Sequence, residues 1–301
     1  MIFAILASAI VALIAIVEIA RLQAAAPPTR CLVDFIGGGA VLPEGCPPID
    51  QFQGLSYGEA ARVTAAMAVV PALVGITLTS GVISGEVEHR TAQLAWILAP
   101  SRGRWLVDRM LLPIGVALLT SVLLAVLSQR LEAARFPYLA PDSSFMDYGL
   151  HGPIIVVRTI AYASLGLLAG AVTGRQLPSL LTSGICALLL FGVLTVAMPF
   201  GQPQSPVTDD DASRADLVAS TRYRTSDGLL LTYDEARAQA PAGMTADETV
   251  VWMANTFVYV PFGVPEEELP FVEVRESLLL LGVATAAVGA TWIVITRRSP
   301  Y

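Results

Sequence analysis

The sequence predicts an all-α polytopic membrane protein with six transmembrane helices and a large extracellular loop between the fifth and sixth. Three observations carry this. Hydrophobic residues make up 54% of the chain and charged residues 14%, well below the roughly one quarter charged that soluble domains carry. Six apolar runs approach the roughly 20 residues needed to cross about 30 Å of hydrocarbon. Those runs are continuous, whereas barrel strands would alternate over about ten residues.

The predicted spans are 2–20, 63–83, 110–127, 154–173, 179–198 and 277–295, all within one domain, 1–301. The first has no positively charged n-region, and its apolar stretch exceeds that of a usual signal peptide, so an uncleaved first helix is expected. The second and third contain Pro71 and Pro113, each either a kink that serves as a hinge or a simple packing bend. The fourth carries Gly166, Gly170 and Gly174 at small-xxx-small spacing, which admits a neighbouring helix within the chain or across a subunit interface. Cys186, midway along the fifth, reads as a small buried hydrophobe.

Orientation rests on arginine, because the chain has no lysine. Placing the polar segment 84–109 inside also places 174–178 and 297–301 inside. Arg90, Arg102, Arg104, Arg109, Arg175, Arg297 and Arg298 then share one side, opposite the acidic runs 209–211 and 266–268. This positive-inside pattern puts both termini in the cytoplasm.

Three segments then face outward: 23–61, 129–152 and 200–276. The first holds Cys31 and Cys46, for which a disulfide is predicted outside the cytoplasmic membrane. The last opens with the Pro- and Asp-rich GQPQSPVTDDD, continues with an Asp-Gly hairpin signal in YRTSDGLLLTY (223–233), and then has a short helix over 245–257. Thr245 and Glu248 have capping-box spacing, with Val250, Met253, Ala254 and Phe257 on one face. That face lies on the membrane surface, covers a pore mouth, or packs against its own loop.

Catalytic residues and metal ligands are not found. Two histidines, His89 and His151, stand far apart and supply neither a metal cage nor a Ser-His relay. A phosphate loop ending in Lys-Ser or Lys-Thr is absent. No nucleic-acid partner is expected. Among ionisable groups near the outer span ends, Arg158 either pairs with Glu18 or Glu276 as an outward gate or snorkels to the interface.

The most informative stretch is 84–109. Glu86, Glu88 and Thr91 precede Leu94, Trp96 and Leu98, and then come Ser101, Arg102, Arg104 and Trp105. The pattern EVEHRT, AQLAWILAPSRGRW, LVDR resembles the connection between the second and third helices of type-2 ABC transporter permeases, actinobacterial members included. The chain departs from the pattern at Arg90 and Arg109, where glycine and lysine are usual, and the amphipathic segment usual ahead of the first helix is not expected.

The resemblance implies a permease subunit paired with a second copy or a homologue and with cytoplasmic ATP-binding cassette subunits. ATP and Mg would belong to those partners, and this chain is expected to hold no cofactor and to be a transport subunit, not an enzyme. The residues named in 84–109 would couple to the ATPase, with Glu86, Glu88, Arg102 and Arg104 fixing register and Leu94, Trp96 and Leu98 packing; the alternative is that they are ordinary interfacial anchors, with the arginines inside and Trp105 at the headgroup level. The expected role is export of a hydrophobic or amphipathic compound (drug, peptide or lipid) across the cytoplasmic membrane. The alternative is a non-transporting sensor or scaffold with an extracellular ligand-binding loop.

Overall fold

Within hydrocarbon, every backbone N–H and C=O must bond inside its own segment, so long apolar runs fold as helices. The computed structural model describes residues 2–29, 31, 45–46, 48–89, 91, 101–139, 145, 147–207, 216–241 and 243–297. Six helical segments among them are long and apolar enough to cross a membrane. The first is α1 (Ile2–Ala25). The second joins α2 (Asp50–Gly54), a π turn (Leu55–Ala60) and α3 (Ala61–Glu88). Then come α4 (Arg102–Arg135), α5 (Ile154–Thr173), α6 (Gln176–Phe200) and, after a sheet-bearing segment, α9 (Leu269–Arg297).

The fourth predicted span coincides with α5, and the other five are shorter than their helices. Hydropathy marks only the apolar stretch, while a helix continues through polar turns until a cap or breaker stops it. Residues 84–88 are thus the last turn of α3 and 102–109 the first two turns of α4, so 84–109 is not a free-standing segment. Leu94, Trp96 and Leu98 lie outside the described residues.

α5 forms the core of the bundle. Ile154, Ile155, Ala161, Leu167 and Ala171 are at most 1% exposed, and the helix packs between α3 and α9. A Cβ on Gly166 would sit 2.6 Å from Thr79 Oγ1, and one on Gly170 would sit 2.8 Å from the Ser80 carbonyl. The absence of side chains there lets α3 approach, and the Thr79 hydroxyl donates across the seam to the Ala163 carbonyl at 2.8 Å. Gly174, at φ 61°, has a different job: it ends α5 in a left-handed C-cap.

α1 and α6 lie on the outside of the bundle, with Leu13, Leu181, Leu188 and Val193 all more than half exposed. Cys186 on α6 is exposed as well. It does not occupy the buried position expected of it, because it falls on the outward stripe with Ile185 and Leu189.

Between α6 and α9 the chain departs from an all-α class. Four short strands, β1 (Ser205–Pro206), β2 (Leu217–Arg224), β3 (Leu230–Leu231) and β4 (Val258–Val264), form an antiparallel sheet in the order β1-β4-β2-β3. The predicted hairpin is present, pairing Tyr223 with Leu231 and Arg224 with Leu230, and Gly228 at φ 82° supplies the left-handed turn position. Two helices follow, α7 (Tyr233–Arg237) and α8 (Ala246–Thr256), each opened by a complete capping box, Thr232 with Glu235 and Thr245 with Glu248.

Met253 and Phe257 of the predicted α8 face pack on Leu231 and Ala236 inside this segment, whereas Ala254 is exposed. The segment docks on the bundle through Leu217 and Val264, which join Phe145, Leu269 and Val272. In the first connection, Cys31 and Cys46 form the predicted disulfide.

Gly170→Ala places a methyl against the Ser80 backbone. It is expected to cost about 1–3 kcal/mol, read as a lower thermal midpoint in detergent. Gly282→Ala, where nothing lies within 4 Å of the added carbon, should be neutral or stabilising. Equal midpoints for the two variants would refute the seam.

The capping hydrogen bonds, first from the backbone N–H of Thr232 or Thr245 and then from its hydroxyl, hold Glu235 and Glu248 below the ordinary carboxylate range. A depressed folded pKa contributes stability that is fully present above the unfolded value of about 4 and is lost as pH falls below it through the lower folded pKa. Amide exchange in α7 and α8, corrected for intrinsic rates, should therefore accelerate on acidification. Glu248→Gln, which keeps an acceptor without the titration, should flatten the effect in α8.

Candidate functional site

Helix ends gather at two opposite ends of the bundle, with different electrostatics. At the end bearing the sheet segment, two guanidinium groups are taken out of solvent, Arg135 at 2% and Arg158 at 3% exposed. A buried charge costs several kcal/mol unless it is paired and hydrogen-bonded, and both find partners.

Arg158 donates from Nε to Glu276 Oε1 at 2.7 Å and from Nη1 to the Gly149 carbonyl at 2.9 Å, and its guanidinium stacks over Phe191 at 5.2 Å. Arg135 pairs with Glu132 at 2.8 Å and with Asp147, and donates from Nε to the Ser56 carbonyl at 2.9 Å.

The turn 147–149 is held residue by residue. The Asp147 carboxylate accepts from Arg135. The Tyr148 hydroxyl donates to Glu276 Oε2 at 2.7 Å, and the Gly149 carbonyl accepts from Arg158. Burial, with Glu276 beside it, pushes the Tyr148 phenol well above its ordinary range and keeps it a donor. Gly149 sits at φ 78°, a conformation that favours glycine, and a Cβ there would press on the Arg158 guanidinium.

Of the predicted trio Glu18, Arg158 and Glu276, the structure brings Arg158 and Glu276 together and leaves Glu18 elsewhere. Glu18 pairs with Arg21 one turn along α1 at 2.7 Å, and Arg21 also bridges to Glu59. α1 packs on α3 and α4, and its own i,i+3 arginine serves Glu18.

The arginine-bearing end is built from more exposed contacts that tie four spans. Glu86 on α3 pairs with Arg109 on α4 at 3.0 Å. Glu88 Oε2 accepts the Gln176 N–H at 2.9 Å, which places a carboxylate at the N-terminus of α6, where the helix dipole favours it. Arg102 donates to the Thr296 carbonyl at 3.3 Å, setting a cation on the C-terminal turn of α9.

The Ser101 hydroxyl caps α4 by accepting the Arg104 N–H at 3.2 Å. The Thr91 hydroxyl donates to the Glu86 carbonyl at 3.2 Å. Trp105 is 5% exposed and packs on Ile83, Leu167 and Ile295. It is therefore a core residue, while Arg104 is exposed. Beside these contacts lies an open cleft of about 770 Å³, lined by Gly81, Gly85, His89, Asp108, Arg109 and Gln176 among others.

Sequence reasoning missed Glu132, Arg135 and Asp147. The third predicted span ends at residue 127, so all three fall in what reads as a loop. The available signal was the i,i+3 spacing of Glu132 and Arg135 on a continuing helical pattern. Among the described residues no group of acidic, histidine and cysteine side chains is placed to hold a metal.

A family model described as ABC-2 membrane transporter related matches residues 2–200, from the start of α1 to the end of α6. No curated protein and no solved structure matches the chain.

Glu276→Leu leaves Arg158 buried without its carboxylate and is expected to cost about 3–5 kcal/mol. The double variant Arg158→Met with Glu276→Leu should recover much of that loss. Glu86→Ala, which removes a pair whose arginine is half exposed, should stay within about 1 kcal/mol. Thermal unfolding of the four purified proteins checks the order, and equal losses for Glu276→Leu and Glu86→Ala would refute it.

Proposed function

The chain belongs to the ABC-2 membrane transporter related family, and from that premise we propose that it is the permease subunit of an ATP-driven exporter in the cytoplasmic membrane. Family membership makes it a multi-pass membrane transporter subunit. The proposal adds the partners, the orientation and the cargo. Two ATP-binding cassette subunits sit on the arginine-bearing face, which is cytoplasmic together with both termini. A second copy or a homologue completes the membrane part. ATP and Mg are bound by the cassette subunits.

The observation that carries the reading is the junction of α3, α4, α6 and α9 at one end of the bundle, made by Glu86–Arg109, Glu88–Gln176 and Arg102–Thr296. A coupling element must pass displacement to several helices, and polar contacts that link their ends are a physical route. Within it Glu86, Glu88 and Arg102 work as ties between spans, Ser101 as a cap, Thr91 as a link back to α3 and Trp105 as packing. Arg104, exposed at the start of α4, is the group free to meet a partner. Leu94, Trp96 and Leu98 are assigned the partner-facing packing.

The cargo is apolar or amphipathic. The buried cations Arg135 and Arg158 are each held against carboxylates, which leaves neither as an open charge for an ion path. The sheet-bearing segment then faces outward.

Affinity purification from gently solubilised native membranes, with mass spectrometry of co-purifying chains, tests this. An ATP-binding cassette subunit should be recovered with the wild type and lost with the Glu86→Ala, Arg102→Ala, Arg104→Ala triple variant. Retention in the variant would overturn the residue assignment. Repeated absence from the wild type would overturn the transporter reading in favour of a sensor or scaffold.

A further inference from the structure

A cavity of about 220 Å³ lies between α3, α5 and α6, lined by Ala68, Val69, Ala72, Leu73, Ile76, Tyr162, Ala187, Leu188 and Phe191, with Arg158 and Gly149 at one end. Its lining is apolar apart from two donors. Arg158 Nη2 and the Tyr162 hydroxyl are buried and have no hydrogen-bond partner among the described residues, and the residues that carry them are 3% and 4% exposed. An unmet buried donor forfeits its hydration without replacement, and native structures keep few of them. Two on facing turns of one helix, both lining one cavity, mark a place where an acceptor is supplied from outside the chain.

We infer that this cavity binds a neutral amphiphile whose head carries hydrogen-bond acceptors, such as an ester or amide carbonyl, and whose apolar tail leaves between α3 and α6 into the lipid. The head is neutral because Arg158 is already matched in charge by Glu276. A second carboxylate or phosphate would leave a net negative charge in a low-dielectric site, whereas a carbonyl oxygen takes up both donors without that penalty.

The tail exits laterally because the cavity is smaller than the roughly 300–1,000 Å³ that encloses a drug-sized ligand. Val69, Leu73 and Leu188, which border it, are 47%, 53% and 73% exposed on the outer surface of the bundle. Phe191 contributes an aromatic wall already occupied on one face by the guanidinium. The site needs no ATPase to bind. Its service as the cargo's entry point rests on the transporter reading above.

The test uses the full chain in dodecyl-maltoside micelles at pH 8, without any partner. Three photoprobes share one diazirine-bearing alkyl chain: a monoacylglycerol, the matching fatty acid and the matching hydrocarbon. The monoacylglycerol should label peptides containing Val69, Leu73 and Leu188 about tenfold more than either comparator, a ratio within reach of two hydrogen bonds. Tyr162→Phe should lower that labelling roughly fivefold, as loss of one neutral hydrogen bond does, while leaving the ligand-free thermal midpoint unchanged or higher. Leu188→Trp, which blocks the mouth, should abolish it.

Equal labelling by the three probes, preference for the fatty acid, or labelling unaltered by Tyr162→Phe would overturn the inference. Native mass spectrometry separates two sources. A neutral lipid retained by the wild type and lost from Tyr162→Phe identifies a resident membrane lipid, and photolabelling without retained lipid identifies an exchangeable compound. Because labelling needs no cassette subunit, its failure leaves the co-purification result standing, and failed co-purification leaves the site standing.

Discussion

A guanidinium removed from water must be met on nearly every side, and this chain buries two of them within reach of one short turn. Arg135 reaches Asp147 and Arg158 reaches the Gly149 carbonyl, while Tyr148 between them donates to the carboxylate that neutralises Arg158. The consequence is topological. Arg135 lies on α4 and bonds the Ser56 carbonyl in the π turn, and Arg158 lies on α5 and bonds Glu276 on α9. The segments that enter and leave the bundle at this end are therefore positioned by two side chains. Shifting any one of them leaves a charge in a low-dielectric interior without its counterpart, so the pairing specifies the arrangement whatever its net contribution to stability.

Legibility followed the physics of each feature. The six spans were readable because hydrocarbon demands long apolar runs, and Ile154–Thr173 was placed to the residue because Pro153 and Gly174 bound it. The other helices overran their predicted ends, since polar turns such as Arg102–Arg109 remain helical outside the lipid. The two capping boxes and the Asp-Gly hairpin are local in sequence. By contrast, the association of Arg158 with Glu276 spans more than a hundred residues and was legible only as one of two choices. The role of residues 147–149 left no periodic signal at all, because a turn that bonds through one carboxylate, one phenol and one carbonyl has no repeating pattern. The roles within 84–109 were mixed for a similar reason: a tryptophan at a helix start reads as an interfacial anchor, and only the packing of α3, α5 and α9 around the start of α4 makes Trp105 a core residue.

The apolar surface left uncovered is as informative as the core. α5 spends its side chains on α3 and α9, whereas α1 and α6 keep broad faces of leucine, isoleucine and valine outside the bundle. In water such faces would be an association hazard. In a bilayer they lie against acyl chains at no cost, and a second copy gains from meeting them only through close packing. Cys186 sits on that outer stripe of α6 and not in the core, so the residue that looked like filler reports on whatever covers this helix.

The two ends of the bundle differ in how firmly they are fixed. At the sheet-bearing end, the ion pairs of Arg135 with Glu132 and Arg158 with Glu276 have side chains at most 4% exposed, and separating such pairs strands a charge. At the arginine-bearing end, Arg109 is 54% exposed in its pair with Glu86, so water replaces a lost partner and the penalty falls to about 1 kcal/mol or less. The Glu88 and Arg102 contacts also reach exposed atoms, and the open cleft beside them leaves room for movement. Local stability follows burial and contact density. A force applied between α3 and α4 would therefore meet the yielding end first, while buried charge holds the sheet-bearing end in register.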